Sequence, residues 1–147
     1  KEYAQDFSKS EDALIHFSHN IDFDILVFIQ PTSPLLLSDD INRGLDMMYD
    51  TEKKYDSIFT AYKEHWIPRW NLDVTPSDWN INNRPMRQAV KEKYVENGAF
   101  YISTKQALIK SKLRYSGKIG IVEMPLSRSF QIDNLDDLSI IKGLLND

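Results

Sequence analysis

Cysteine is absent from the 147 residues of this chain, which excludes disulfides, thiolate nucleophiles and Cys-ligated zinc. Histidine is nearly absent too, with three residues. His16 and His19 stand i,i+3 on one predicted helix with no third ligand at a matching spacing, so they do not make a zinc site. No apolar run approaches the ~20 residues of a membrane-spanning helix, so a soluble, cytoplasmic chain without a membrane partner is expected. No block of like charge occurs, and 18 Lys+Arg against 22 Asp+Glu leave a net charge of −4. Nucleic-acid binders usually carry a net basic face, so no nucleic-acid partner is expected. The GxSxG elbow, the Walker A loop and GxGxxG are all missing. So are an initiating Met and a signal-peptide pattern, from which a fragment or processed product is expected.

What is present is ordinary for one globular domain over 1–147, with 41% hydrophobic and 27% charged residues. Ser8 and Glu11 have capping-box spacing ahead of Ala13, Leu14 and Phe17, which predicts a helix over 9–18. FDILVFIQ (23–30) is apolar on both faces and predicts a central, parallel strand ending at the prolines of PTSP. Ser38 is the expected cap of the next helix, with Asp39 and Asp40 in its first turn and Ile41, Leu45 and Met48 facing inward. YDSIFTAY (55–62) predicts another strand. This βαβ rhythm predicts an α/β fold, a Rossmann-like, mostly parallel sheet flanked by helices. Residues 64–93 hold all three tryptophans and three prolines without helical periodicity, and predict a hairpin-like arm leaving the sheet. Strands over 98–103 and 118–125, a short helix between them and a final helix carrying Leu138, Ile141, Leu144 and Leu145 inward complete the pattern.

Four polar stretches could carry chemistry. In IQPTSP (29–34), Gln30 lies where a strand ends, the position at which open α/β sheets bind ligands, and Thr32 and Ser33 add hydroxyls. A plain strand-to-helix turn uses the same residues. In NRPMRQ (83–88), Arg84 and Arg87 offer forks for carboxylate or phosphate, or form a solvated pair. Asn97-Gly98 reads as a turn entering a strand. In SFQIDNLDDL (129–138), Asn134 caps the last helix with Asp136 and Asp137 in its first turn. That leaves Gln131 and Asp133 on one side of an extended segment. One or two carboxylates suffice for Mg²⁺ when substrate phosphates supply other ligands.

Read in order, QPTSP (30–34), RPMRQ (84–88), ENGAFYI (96–102) and SFQID…DL (129–138) resemble the motif series of the acylneuraminate cytidylyltransferases, or CMP-sialic acid synthetases. The resemblance runs from about Lys1 to the last helix. It implies a nucleotidyltransferase that couples CTP to a nonulosonic (sialic) acid. The anomeric hydroxyl would attack the α-phosphate, pyrophosphate would leave, and Mg²⁺ would screen the developing charge. It implies that Gln30, with Thr32 and Ser33 beside it, contacts sugar or nucleotide, and that Arg87 and Gln88 bind the acidic sugar. Asn97 and Tyr101 would line the sugar pocket, and Arg69 would be a further basic contact. Asp133 would be the second metal-binding aspartate. The 64–93 arm would make the contacts of a homodimer and help complete a neighbouring site.

Two departures accompany the resemblance. The family's ARxGSKxxxxKN-like phosphate loop, part of a preceding βαβ unit of ~30 or more residues, has no counterpart. The chain is therefore expected to be the C-terminal portion of a longer enzyme, catalytically incompetent alone. Gln131 stands where the family usually has its first metal aspartate, offering an amide oxygen without charge. The alternative reading is a non-catalytic nucleotide- or sugar-binding or dimerisation domain, or a CMP-transferase for a related keto-sugar acid.

Overall fold

The computed structural model describes residues 9–145. Helix α1 spans Ser10–Asn20, strand β1 Ile25–Ile29, helix α2 Ser38–Tyr49 and strand β2 Ser57–Glu64. After the arm come strand β3 (Lys93–Thr104), helix α3 (Lys105–Ser111), strand β4 (Ile119–Glu123) and helix α4 (Leu135–Leu145). Ser8, the predicted cap of α1, lies outside the described residues.

The sheet order is β1-β3-β2-β4, and this overturns the expected mostly parallel sheet. β3 pairs antiparallel with both β1 and β2, and the β2–β4 pair alone is parallel. The βαβ rhythm did imply that β1 and β2 point the same way, and each is antiparallel to β3. It carried no information that a later strand would insert between them. β1 is accordingly an edge strand rather than a central parallel one. Its two-sided apolarity has a local cause. Ile25 and Val27 pack on the core, while Phe28 stacks on Tyr101 with ring centroids 6.1 Å apart.

The core gathers Met48 of α2 with Ile58, Ala99, Phe100, Ile102, Val122 and Met124 of the sheet layer, and Ile41 and Leu45 pack against it. Gly44 lets α2 sit directly on the sheet, because a Cβ there would lie 2.8 Å from Ile102 Cδ1 and 3.0 Å from Phe100 Cε2. Burying Phe100 completely is the kind of contact whose truncation costs about 3–5 kcal/mol.

Helix ends follow local chemistry. Thr104 Oγ1 accepts from Ala107 N–H at 3.2 Å to start α3. Asn134 Oδ1 accepts from the N–H groups of Asp136 and Asp137 at 2.9 and 3.0 Å, so it caps α4 as expected. Ser38 is not the cap of α2. It is the first helical residue, and Asp40 reaches back to accept from Leu37 N–H at 3.1 Å. In α4, Ile141 is buried, but Leu144 and Leu145 are exposed rather than inward.

The arm is not a regular hairpin. Two isolated bridges, Trp70 with Pro76 and Asn80 with Asn83, are the described pairings within it. Trp79 meets Trp66 and Trp70 edge-on, with centroids 6.2 and 5.0 Å apart.

Candidate functional site: a bulge held between two glutamines

The register of β2 against β3 jumps from Phe59–Tyr101 to Ala61–Glu96, so Thr60 alone faces Asn97, Gly98, Ala99 and Phe100. The sequence placed Asn97-Gly98 as a turn before the strand; the pair lies within it, as a bulge. Buried Thr60 compensates for the lost ladder. Its Oγ1 accepts from Ala99 N–H at 3.1 Å and Phe100 N–H at 3.3 Å. Gly98 adopts φ +64°, the left-handed region that glycine enters without steric cost. A Cβ on it would collide with Gln131 Nε2 and lie 2.7 Å from Gln30 Oε1. The bulge is thus clasped between Gln30, just past β1, and Gln131.

The 125–133 segment is fastened there by four further contacts. Gln131 Nε2 donates to Asn97 O, and Ile132 N–H donates to Thr32 O at 2.9 Å. Asn97 Nδ2 donates to Ser129 Oγ at 2.9 Å. Asp40, fully buried, accepts from the fork of Arg128 through both carboxylate oxygens, and from Arg43 Nη2 at 2.6 Å. Arg43 in turn donates to Glu123 O at 3.0 Å. Burial by itself would raise the Asp40 pKa; the bonds from Arg128 and Arg43 outweigh it and hold the carboxyl below its usual range.

The result is a cleft of about 380 Å³ lined by Gln30, Asn97, Tyr101, Gln131 and Asp133, together with Tyr62, Glu96 and Ser129. Five of the sequence-chosen residues therefore converge. The others do not line this cleft. Thr32 contributes its backbone carbonyl, and the Ser33 hydroxyl is buried without a hydrogen-bond partner among the described residues. Arg87 and Gln88 border a separate cleft of about 520 Å³ with His65 and Glu92. Arg69 lies in a third, of about 200 Å³, where its Nη2 donates to both Glu64 carboxylate oxygens, at 2.9 and 2.8 Å.

Within the main cleft, Tyr101 OH donates to Glu96 Oε1 at 2.5 Å and Tyr115 OH donates to Oε2 at 3.3 Å. Burial, then the bond to Glu96 and its charge, push the Tyr101 phenol far above its usual range, so it stays a donor at any physiological pH. Asp133 is exposed. Among the described residues no group of three or more His, Cys, Asp or Glu is gathered for a metal. Glu96 and the Asp40–Arg128 pair were missed from sequence. Glu96 adjoins the Asn97-Gly98 pair, but nothing in its spacing reports the two phenols. Asp40 read as a helix-dipole acid because Arg128 is 88 residues away.

The chain is 34% identical over 140 residues to N-acylneuraminate cytidylyltransferase B of Danio rerio, an alignment covering 90% of this chain and 32% of that protein. It is 24% identical over 152 residues to the N-acylneuraminate cytidylyltransferase of Streptococcus agalactiae, covering 97% of this chain and 34% of that one. Over most of its own length the chain is thus similar to N-acylneuraminate cytidylyltransferases. It spans about a third of the length of those cytidylyltransferases. It also matches post-translational flagellin modification protein B of Campylobacter coli, at 25% identity over 130 residues, 85% of this chain and 54% of that protein. No protein-family model matches the chain. No helix among the described residues is long and apolar enough to cross a membrane.

Proposed function

We propose that this chain binds the nucleoside or sugar-acid part of a CMP-sugar-forming reaction, and that it does not complete the phosphoryl transfer by itself. The observation that carries this reading is the charge of the cleft. Its lining includes the carboxylates Glu96 and Asp133 and the amides of Gln30, Asn97 and Gln131, but, among the described residues, no Lys, Arg or His. Hydroxyl- and amide-rich ligands suit such a wall. Charge building on a transferring α-phosphate asks instead for cationic donors, which must come from outside these lining residues.

The kinship supports CTP and a nonulosonic acid as the ligands, with a related keto-sugar acid as the nearest variant. Gln131 and Asp133 would contribute an amide oxygen and one carboxylate to Mg²⁺. Two such donors fit an ion that arrives on substrate phosphates, which supply its other ligands. Bound there, the ion would neutralise phosphate charge. Arg87 and Gln88 are assigned to the sugar-acid carboxylate of a neighbouring copy. The resemblance implies this role, and it is supported by their place on an arm whose Leu72, Val74 and Met86 side chains are exposed, a surface suited to a homodimer.

Titration calorimetry with CTP and with N-acetylneuraminate in the presence of Mg²⁺, alongside a pyrophosphate-release assay, tests the reading. Binding of at least one ligand without pyrophosphate release is expected. Sustained pyrophosphate release would make the chain a complete catalyst, and absence of any binding would remove the reading altogether.

A further inference from the structure

Glu96 flanks the bulge and is bonded across it to Tyr101, and its carboxylate also faces open space. Its carboxylate is exposed on the wall between the main cleft and a neighbouring one of about 340 Å³, and it lines both. Each of its oxygens accepts one phenol, Oε1 from Tyr101 and Oε2 from Tyr115. The phenols are themselves fixed. Their rings stack at 6.0 Å, Phe28 covers Tyr101, and Phe59 packs on Tyr115 at 5.4 Å. The Arg114 guanidinium sits 4.9 Å over the Tyr101 ring while forking Glu11 of α1 at 2.7 and 3.0 Å.

A carboxylate has about four acceptor directions, two on each oxygen. The phenols use one per oxygen. One acceptor direction is left on each oxygen of a group held by both of them. Two acceptors a carboxylate-width apart suit two donors on adjacent carbons, the hydroxyls of a vicinal diol. The rest of the cleft agrees with a neutral, hydroxylated ligand face: the nearby amides of Gln30 and Gln131 and the Ser129 hydroxyl offer donors and acceptors without cationic charge.

We infer that Glu96 is a diol-recognising residue, its carboxylate accepting from two adjacent hydroxyls of the bound ligand. Resting on the function proposed above, the diol has two sources, the ribose of a cytidine nucleotide or the polyol tail of a sugar acid. Tyr101 and Tyr115 are then positioning residues that hold the carboxylate by its other lone pairs.

The test compares two ligand pairs by titration, on the wild type and on Glu96→Ala and Glu96→Gln. One pair is CTP against 2′,3′-dideoxy-CTP. The other is N-acetylneuraminate against the same acid shortened by periodate cleavage of its tail. In one pair the wild type is expected to prefer the diol-bearing member by about tenfold or more, the size of a bond to a charged group. Glu96→Ala should erase that preference while leaving affinity for the diol-less member within about twofold, and Glu96→Gln should keep a part of it. Preference for the diol surviving in Glu96→Ala in both pairs would overturn the inference, as would a lost Mg²⁺ affinity in Glu96→Gln with the diol preference intact. Saturation-transfer NMR with free ribitol separates the two levels. Glu96-dependent transfer without binding of either ligand pair would uphold diol recognition and sink the cytidylyltransferase reading. Absence of transfer and of binding would sink both.

Discussion

Gly98 and Val74 share almost the same backbone angle, φ +64° and +66°, in two regions built on opposite plans. At Gly98 the residue suits the angle, and the space where a side chain would go is taken by two glutamines. At Val74 a β-branched residue occupies a region that L-residues avoid, and its side chain is 76% exposed. The bulge is held by residues far away in the chain: Gln30, Thr60, Ser129 and Gln131. The arm is held by its own turns. Asn71 N–H donates to Thr75 O at 2.8 Å, Thr75 N–H to Asp73 Oδ1 at 3.0 Å, and Trp79 Nε1–H to Arg69 O at 3.1 Å. Distant cross-links make a rigid cleft, whereas local turns leave the arm's apolar side chains free to face outward.

The largest break in that contrast is expected at Asp40, whose pairing with Arg128 holds the 125–133 segment against the rest of the cleft. Removing one member of a buried ion pair leaves the other uncompensated, so Asp40→Ala should lose about 3 kcal/mol of stability at neutral pH. The arm should be unaffected. The sign with pH follows from the lowered Asp40 pKa. The stabilisation is fully present above the unfolded-state value of about 4 and is lost as pH falls below it through the folded value. Urea midpoints at pH 7 and pH 3 check this. The gap between wild type and Asp40→Asn should narrow at the lower pH, and a constant gap would remove the ion pair from the account.

Much of the scaffold was legible in sequence because its signals are local. The Asn134 cap, the inward stripe of α2 and the short helix α3 each depend on residues within a turn or two. The strand order was not legible, since whether β3 lies beside β1 or beyond β2 is decided by long-range packing of Phe100 and Ile102 under Gly44. The candidate site divides the same way. Gln30, Asn97, Tyr101, Gln131 and Asp133 stood in recognisable motifs and do converge. Glu96 and Arg128 act through partners that spacing along the chain cannot reveal, and Arg69, Arg87 and Gln88 belong to the arm rather than to the cleft.

Gly98→Ala is the next largest effect. The left-handed angle costs an L-residue about 1–2 kcal/mol, and the new methyl also displaces Gln131 or Gln30. A loss of about 2–3 kcal/mol is expected, together with weaker binding of whichever ligand the cleft takes. A second substitution, Gln131→Ala, tells the two causes apart in a double-mutant cycle. If crowding matters, Gly98→Ala should be less harmful in the Gln131→Ala background; equal losses in both backgrounds would leave only the backbone angle.

Val74→Asn should move the other way, and by the smallest amount. Asparagine enters the left-handed region more readily than valine, and no described partner is lost, so the variant should gain about 0.5–1 kcal/mol in urea denaturation. The same change removes an exposed apolar group from the face assigned to a second copy. Sedimentation measurements should therefore find Val74→Asn more stable as a monomer yet more weakly self-associated than wild type. Residues kept in a strained conformation are held there by something elsewhere, and at Val74 the candidate is the partner surface. A gain in stability with unchanged self-association would detach Val74 from any interface. A loss of stability would mean that the valine is packed by the arm itself, and the contrast with Gly98 would collapse.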